Sequence, residues 1–185
     1  DWVHEDAIDY VISLLGKYNQ KATFFATNEY ASFFKSDFCH EVGIHPNFND
    51  LLTNGKSNYK DVIDKFAKTY PKAKGFRSHS LTTSSHILNY FSQLGFIYDS
   101  NQYHPSGAKV FLDYSNLYRF THNYVDLGHL IEGSSLTIKN INFSLEHLNI
   151  FDFHPVHIFL NTPSVDYYNQ RKHLTNSNQL KLITK

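Results

Sequence analysis

Residues 41–49 have the sequence EVGIHPNFN, a short apolar run that ends in a histidine, a proline and an asparagine-rich turn. Another apolar run of strand length lies at residues 22–26, and an amphipathic helical pattern over His4 to Asn19 precedes both. The two runs predict neighbouring buried strands. The polar residues after the second run predict that the ends of these strands carry functional side chains.

Strand and helix patterns alternate along the rest of the chain. Periodicity, turn residues and helix-stop signals predict helices over Tyr59–Thr69, Thr83–Leu94 and Ser164–His173, and strands over Gly75–Arg77, Phe96–Tyr98, Val110–Leu112, Leu117–Phe120, Asn149–Phe153 and His157–Leu160. Such alternation implies parallel strands with helices outside. Because no glycine-rich phosphate loop follows any strand, a distorted (β/α) barrel fits better than an open nucleotide-binding sheet. We expect one domain over residues 1–185.

The composition excludes several classes of partner and site. Acidic and basic residues balance at 17 each, so nothing indicates a nucleic acid or an anionic membrane as partner. The lone Cys39 excludes an internal disulfide and a cysteine-based zinc knuckle. No apolar run approaches the roughly 20 residues that span a bilayer, and we expect a cytoplasmic location. The 16 Phe and 13 Tyr residues suit a core and cleft walls, and exposed ones suit stacking on sugar rings.

His45 ends the predicted strand over residues 40–45, and Asn49 follows four residues later. These two side chains can bind one metal ion if the turn between them is helical, and Pro46 suits the first position of such a turn. The alternative interpretation is a structural histidine, which is the commoner role of a lone histidine in such a position. Asparagine is also a poor ligand for zinc.

Two later strand ends also carry polar side chains. Arg77 and His79 lie two residues apart, so an extended backbone points both to one side. Arg77 can keep a neighbouring catalytic carboxylate ionised. His79 can bind a metal ion or form a hydrogen bond with a substrate hydroxyl. The alternative is that Arg77 pairs with a surface acid. His154 is placed to act as a general acid, or else it is a core histidine. Asp126 and Asp99 are candidates to hold it or to bind sugar hydroxyls; the alternative is that both are ordinary polar groups.

The order and spacing of these motifs resemble the polysaccharide deacetylase family, the NodB-type carbohydrate esterases. The likeness is strongest to the divergent WbmS-like branch, which is associated with bacterial surface-polysaccharide clusters. It spans most of the chain, from residue 1 to about residue 160, and rests on Asp1-Trp2 and on residues 22–25 (ATFF), 41–45 (EVGIH), 75–78 (GFRS), 98–100 (YDS) and 153–155 (FHP).

The resemblance implies a distorted (β/α) barrel that uses a divalent cation, with zinc the expected ion, to remove N- or O-acetyl groups from sugars. It implies that Asp1 is a metal ligand or the catalytic base and that His45 is the first metal histidine. Arg77 then orients the base, and His154 is the general acid.

The chain departs from the family pattern at three points. Asn49 stands where the family has its second metal histidine, and His79 stands where it has a proline, so either of the two supplies the third ligand. The first motif retains a single Asp. If Asp1 binds the ion, the base lies upstream of it.

We therefore expect metal-assisted removal of an acetyl group from a sugar of a bacterial surface polysaccharide. Phe48, Tyr98 and Asp99 are expected to contact the carbohydrate. An Asp base takes the proton of the attacking water, and His154 protonates the leaving amine or alcohol. Two alternatives stay open: hydrolysis of another C–N amide bond, and a non-catalytic saccharide-binding domain, which the replacement at Asn49 favours.

Overall fold

The structure, a computed structural model, describes residues 3–53, 55, 58–134, 141, 143, 146 and 148–173. The helices are α1 (Glu5–Lys17), α2 (Asn49–Thr53), α3 (Tyr59–Thr69), α4 (Ser85–Gln93), α5 (Asp126–Ile131), α6 (Pro155–Leu160) and α7 (Val165–Arg171). The strands are β1 (Thr23–Ala26), β2 (Glu41–Ile44), β3 (Gly75–Phe76), β4 (Tyr98–Tyr103), β5 (Val110–Leu112), β6 (Tyr118–His122), β7 (Tyr124–Val125) and β8 (Phe151–Asp152).

Six strands form one sheet in the order β1-β2-β3-β4-β6-β5, and β7 pairs with β8 in a second sheet. All neighbours are parallel except β5 and β6, so the predicted α/β class is confirmed. Ile44 of β2 pairs with Phe76 of β3, which pairs with Asp99 of β4. The residues that follow β2 and β3 therefore leave the sheet at the same edge. The pairings of the described strands do not include a hydrogen-bonded closure into a barrel.

Helix α1 matches the amphipathic pattern from which it was predicted. Its buried face carries Ala7, Ile8 and Val11, and the His4 side chain caps its first turn by accepting a hydrogen bond from the Asp6 N–H. The helix packs against α6, which comes late in the chain. The first helix and the last part of the domain are thus held together.

Two glycines allow the central strands and the rings beside them to pack closely. A Cβ atom on Gly75 would lie 2.0 Å from the Tyr98 ring, and one on Gly43 would lie 2.7 Å from the Gly75 carbonyl oxygen. In the core beside them, the Phe76 and Phe91 rings stack with centroids 3.5 Å apart. A side chain at Gly75 would force the Tyr98 ring away, and one at Gly43 would force its strand away from Gly75.

The strand predicted over Phe96–Tyr98 is shifted in the structure. Phe96 precedes β4 and packs edge-on against Phe91, with ring centroids 4.9 Å apart. The strand starts at Tyr98 and continues to Tyr103. The polar residues Asp99, Ser100 and Asn101, which follow the predicted strand, lie within the observed one because they find buried hydrogen-bond partners there.

The strand predicted over His157–Leu160 is wrong, because these residues belong to helix α6. Pro155 occupies the start of the helix, where its missing N–H costs nothing. Val156 and Leu160, four residues apart, lie buried on one face, which is the helical rather than the strand period. None of the helices in the described part of the chain has the length and apolar character that a bilayer crossing requires.

Candidate active site

A cavity of about 730 Å³ runs along the whole of β1 and reaches the residues that follow β2 and β3. His45 after β2, Arg77 after β3, and Asp152 and His154 at β8 all line it. Its volume falls within the range typical of small-molecule sites. Much of the remaining wall is aromatic: Phe24, Phe25, Phe120, Phe151 and Phe153.

Arg77 is buried and held from several directions. Its Nε donates a hydrogen bond to the Ser100 carbonyl oxygen (2.9 Å), and its Nη2 donates to Ser100 Oγ (2.8 Å). The guanidinium forms an ion pair with Asp152 through Nη1 and lies over the Phe25 ring, 4.9 Å from its centroid. The carboxylate partner of Arg77 is therefore a mostly buried cavity residue rather than a surface acid.

Asp152 is a site residue to which the sequence analysis gave no role. Burial opposes its ionisation, but the Arg77 guanidinium and, after it, His154 hold the pKa of this carboxyl below its usual value. Asp152 lies two residues before His154, and in an extended strand the side chains of residues two apart point to the same face. That spacing was the signal in the sequence that could have identified it.

His154 is fixed by Asp126, one of the two acids that were candidates to hold it. The Asp126 side chain is fully buried, and its Oδ1 lies 2.5 Å from His154 Nδ1. Its Oδ2 accepts the backbone N–H of His154 at 2.7 Å. A carboxylate can only accept, so the Nδ1 proton points at Asp126, and proton exchange with a substrate falls to Nε2.

His45 and His79 are brought together, with ring centroids 5.7 Å apart and the rings edge-on. Burial, with added repulsion from the His79 and Arg77 charges, lowers the pKa of His45 to about 3. Burial also lowers the pKa of His79, with a further contribution from His154. Both imidazoles are thus held in the neutral form that binds metal ions.

Two residues that we expected to contact carbohydrate are buried away from the cavity. The Phe48 side chain is 1% exposed and belongs to the hydrophobic core. Asp99 is fully buried and accepts two hydrogen bonds from Arg119, at 2.9 and 3.2 Å, and further ones from Asn101. Neither side chain offers a surface to a sugar, because packing in one case and ion pairing in the other already occupy it.

The remaining predicted residues have different positions. Tyr98 lines the cavity, and burial together with a hydrogen bond to Glu41 raises the pKa of its hydroxyl. Asn49 is half-buried at the start of α2, where its backbone N–H donates to Asn47 Oδ1 at 2.9 Å. Asp1 lies outside the described residues.

Two further histidines near the site were not predicted. His122, at the end of β6, is fully buried, and neither ring nitrogen has a hydrogen-bond partner in the described part of the chain. Burial, followed by the Arg77 charge, lowers its pKa to about 4. His157 is also buried; burial lowers its pKa to about 4, and its Nδ1 lies 3.3 Å from Thr162 Oγ1. Nothing in the local sequence distinguishes these histidines from exposed ones.

The donor set fits a zinc-like cation, because neutral imidazoles and carboxylates are the nitrogen and oxygen ligands that zinc prefers. His45 and His79 form one group of such donors. Among the described residues, Asp126, His154 and His157 form another, with ligand atoms within 4.8 Å of one another. In that second group both Asp126 oxygens already contact His154, which leaves less of the carboxylate for an ion.

Histidine and carboxylate side chains gathered at the carboxyl ends of parallel strands define an α/β protein with an enzyme-like site. A family model described as WbmS-like polysaccharide deacetylase matches residues 1–172. The chain belongs to this family, as the resemblance in its motifs predicted.

The fold also matches solved structures. WbmS from Bordetella bronchiseptica, described as a polysaccharide deacetylase involved in O-antigen biosynthesis, superimposes with a TM-score of 0.88 at 24% identity, over 96% of this chain and 77% of that chain. A polysaccharide deacetylase from Mycobacterium smegmatis matches with a TM-score of 0.50 at 10% identity, over 94% of this chain and 60% of that chain. No protein among the curated sequences matches.

Proposed function

We propose that this protein is a metal-dependent hydrolase that removes an N- or O-linked acetyl group from a sugar of a bacterial surface polysaccharide. The observation that carries the proposal is one cavity lined by His154 and by the Arg77–Asp152 ion pair, with Asp126 holding His154 from outside the lining. Family membership supports the deacetylase reaction. The O-antigen role stated for the Bordetella relative supports the polysaccharide context.

The proposal includes the distorted barrel. Two contacts between early and late parts of the chain support it. Arg77, after β3 of the main sheet, pairs with Asp152 of β8, and α1 packs against α6. A sheet that stayed flat would not bring β8 over the end of β3.

The proposed cation, with zinc the expected ion, would be held by His45 and His79 together with Asp1. His79 rather than Asn49 is assigned because its ring lies beside that of His45. When bound, the ion would polarise the acetyl carbonyl and lower the pKa of a bound water to about 7.

The residues of the chain supply orientation and proton transfer. Asp126 holds His154 in one tautomer, and His154 Nε2 donates a proton to the departing amine or alcohol, a role that contributes about 10²–10⁴ in rate. Arg77 fixes the carboxylate beside it through a buried ion pair. The aromatic wall, including Phe120 and Tyr98, packs against the sugar and excludes bulk water.

The test is acetate release from a panel of N-acetylated and O-acetylated sugars, with the protein loaded in turn with zinc, cobalt or manganese. We expect release that a chelator abolishes and added metal restores. His154→Ala should retain metal but turn over about 10²–10⁴ more slowly. The matched control is His86→Ala, which alters an exposed histidine on α4.

The alternatives predict other outcomes of the same assay. Hydrolysis of small amides without acetate release from any sugar would identify an amidase of another kind. Saccharide binding without hydrolysis, by protein that cannot be loaded with metal, would identify a binding domain and refute the proposed enzyme.

A further inference from the structure

Asp152 is the carboxylate that Arg77 contacts, although the family resemblance placed the catalytic base at the first motif. We propose that Asp152 is the general base that takes a proton from the attacking water. The inference rests on the proposed deacetylase function and deepens it. It also assigns Asp1 the role of metal ligand only, and it puts Asp152 in place of the upstream base that the resemblance implies in that case.

The position of Asp152 carries this inference. The side chain lines the cavity, where acid, base and substrate must meet. Arg77 is anchored to Ser100 by two hydrogen bonds, at 2.9 and 2.8 Å, so the guanidinium that faces the carboxylate cannot swing away. An arginine fixed in this way holds its partner carboxylate both ionised and oriented.

The acid and the base then come from one strand end. His154 has the extended backbone angles φ −91° and ψ 122°, and Asp152 lies in β8 two residues earlier. Alternate residues of an extended segment point to the same side, and both side chains line the cavity. The pair can therefore act on one acetyl group, with the water beside Asp152 and the leaving group beside His154.

The proton balance closes within the site. One O–H bond of water breaks, its proton passes to the Asp152 carboxylate, and the hydroxide oxygen bonds to the acetyl carbon as the carbonyl electrons move onto oxygen. When the tetrahedral intermediate collapses, the C–N or C–O bond breaks and the leaving group takes the proton from His154 Nε2. The proton on Asp152 then passes to His154, which restores both groups, so the net reaction consumes one water and gives acetic acid and the free amine or alcohol.

The experiment is chemical rescue with two substrates. An acetylated sugar needs both acid and base, whereas 4-nitrophenyl acetate has a good leaving group and needs only the base. We expect Asp152→Ala to lose about 10²–10⁴ in rate on both substrates. Sodium formate can enter the space left by the carboxylate and should raise the rate at which Asp152→Ala hydrolyses the ester by about tenfold or more. Sodium chloride at the same ionic strength should leave that rate unchanged. His154→Ala should lose rate mainly on the sugar.

A matched control separates catalysis from structure. Asp99 is a second buried aspartate that pairs with an arginine, Arg119, on the neighbouring strands. Formate should not restore whatever rate Asp99→Ala loses. Because Asp152→Ala leaves Arg77 unpaired, Asp152→Asn is measured beside it, with circular dichroism to establish that each variant is folded.

The outcomes are separable. If the wild-type protein hydrolyses neither substrate, the proposed function fails. If the wild-type protein is active and folded Asp152→Asn keeps its rate, the base assignment is overturned while the function stands. A loss in Asp152→Ala that formate does not restore, with the melting temperature lowered as in Asp99→Ala, would overturn it as well and show that the ion pair is structural.

Discussion

Asp126 and His154 contact each other twice. One carboxylate oxygen lies 2.5 Å from the ring Nδ1, and the other accepts the backbone N–H of the same residue at 2.7 Å. The two contacts fix both the ring and the backbone from which it projects. A histidine held in this way has one tautomer and one orientation available for proton transfer.

Asp126→Asn should lower turnover by about 10²–10⁴, because an amide can hold His154 in the wrong tautomer. The KM for the acetylated sugar and the bound metal should change little. Steady-state kinetics and elemental analysis measure the two effects separately. A full loss of metal in this variant would instead identify Asp126, His154 and His157 as the ligands.

His45→Ala and His79→Ala should each weaken metal binding by more than about 100-fold, since loss of an outer-shell partner alone costs 10–100-fold. The wild-type protein should retain about one equivalent of a divalent ion per molecule. The measurement is metal content by elemental analysis after dialysis. His157→Ala is the control, and a selective loss of metal there would contradict the assignment.

The buried histidines predict that acid destabilises the metal-free protein. His122 and His157 titrate at about pH 4 when folded but near the ordinary value of 6.5 when unfolded, so unfolding takes up protons between these values. Stability is fully present above about pH 6.5 and falls by up to about 1.4 kcal/mol per pH unit for each histidine as the pH drops towards 4. Asp152, whose pKa is lowered, adds a loss only at still lower pH.

Urea unfolding at about pH 7 and about pH 5 measures this slope. His122→Gln should remove the contribution of one histidine, whereas His86→Gln, at an exposed position, should leave the slope unchanged. Equal slopes in all three proteins would show that His122 does not stay neutral in the folded state.

Gly75→Ala should destabilise the protein by about 1–3 kcal/mol, because the new methyl group would overlap the Tyr98 ring. Tyr98 lines the cavity, so activity should fall as well. In contrast, Gly16→Ala in α1 meets nothing within 4 Å and should stabilise the helix by up to about 1 kcal/mol. Denaturant midpoints distinguish the two; an unchanged midpoint for Gly75→Ala would mean that Tyr98 moves aside freely.

Elements with local signals could be predicted from the sequence. Helix α3 runs from Tyr59 to Thr69 as predicted, because Asn58 caps its start and Pro71 follows its end. Helix α6 was mistaken for a strand, because four apolar and aromatic residues in a row fit either period. Only the burial of Val156 and Leu160 on one face distinguishes the two.

The candidate site was predictable in part, for a similar reason. Histidines and an arginine at strand ends are visible in a sequence, and His45, His79 and Arg77 do converge. The pairing of Arg77 with Asp152 depends on how β8 is placed over the main sheet, which no short window of sequence contains. Phe48 could not be placed from the sequence either, because a phenylalanine is expected both in a cleft wall and in the core. The structure places it in the core, packed against its neighbours.

The anchoring of Arg77 has a consequence for how the protein matures. Arg77 follows β3, whereas Asp152 lies in β8, so this charge pair exists only once β8 has docked beside the earlier strands. Any partly assembled form without β8 leaves the guanidinium without this counter-charge. A chain cut before β8 should therefore lose the buried ion pair even if the six-stranded sheet still forms.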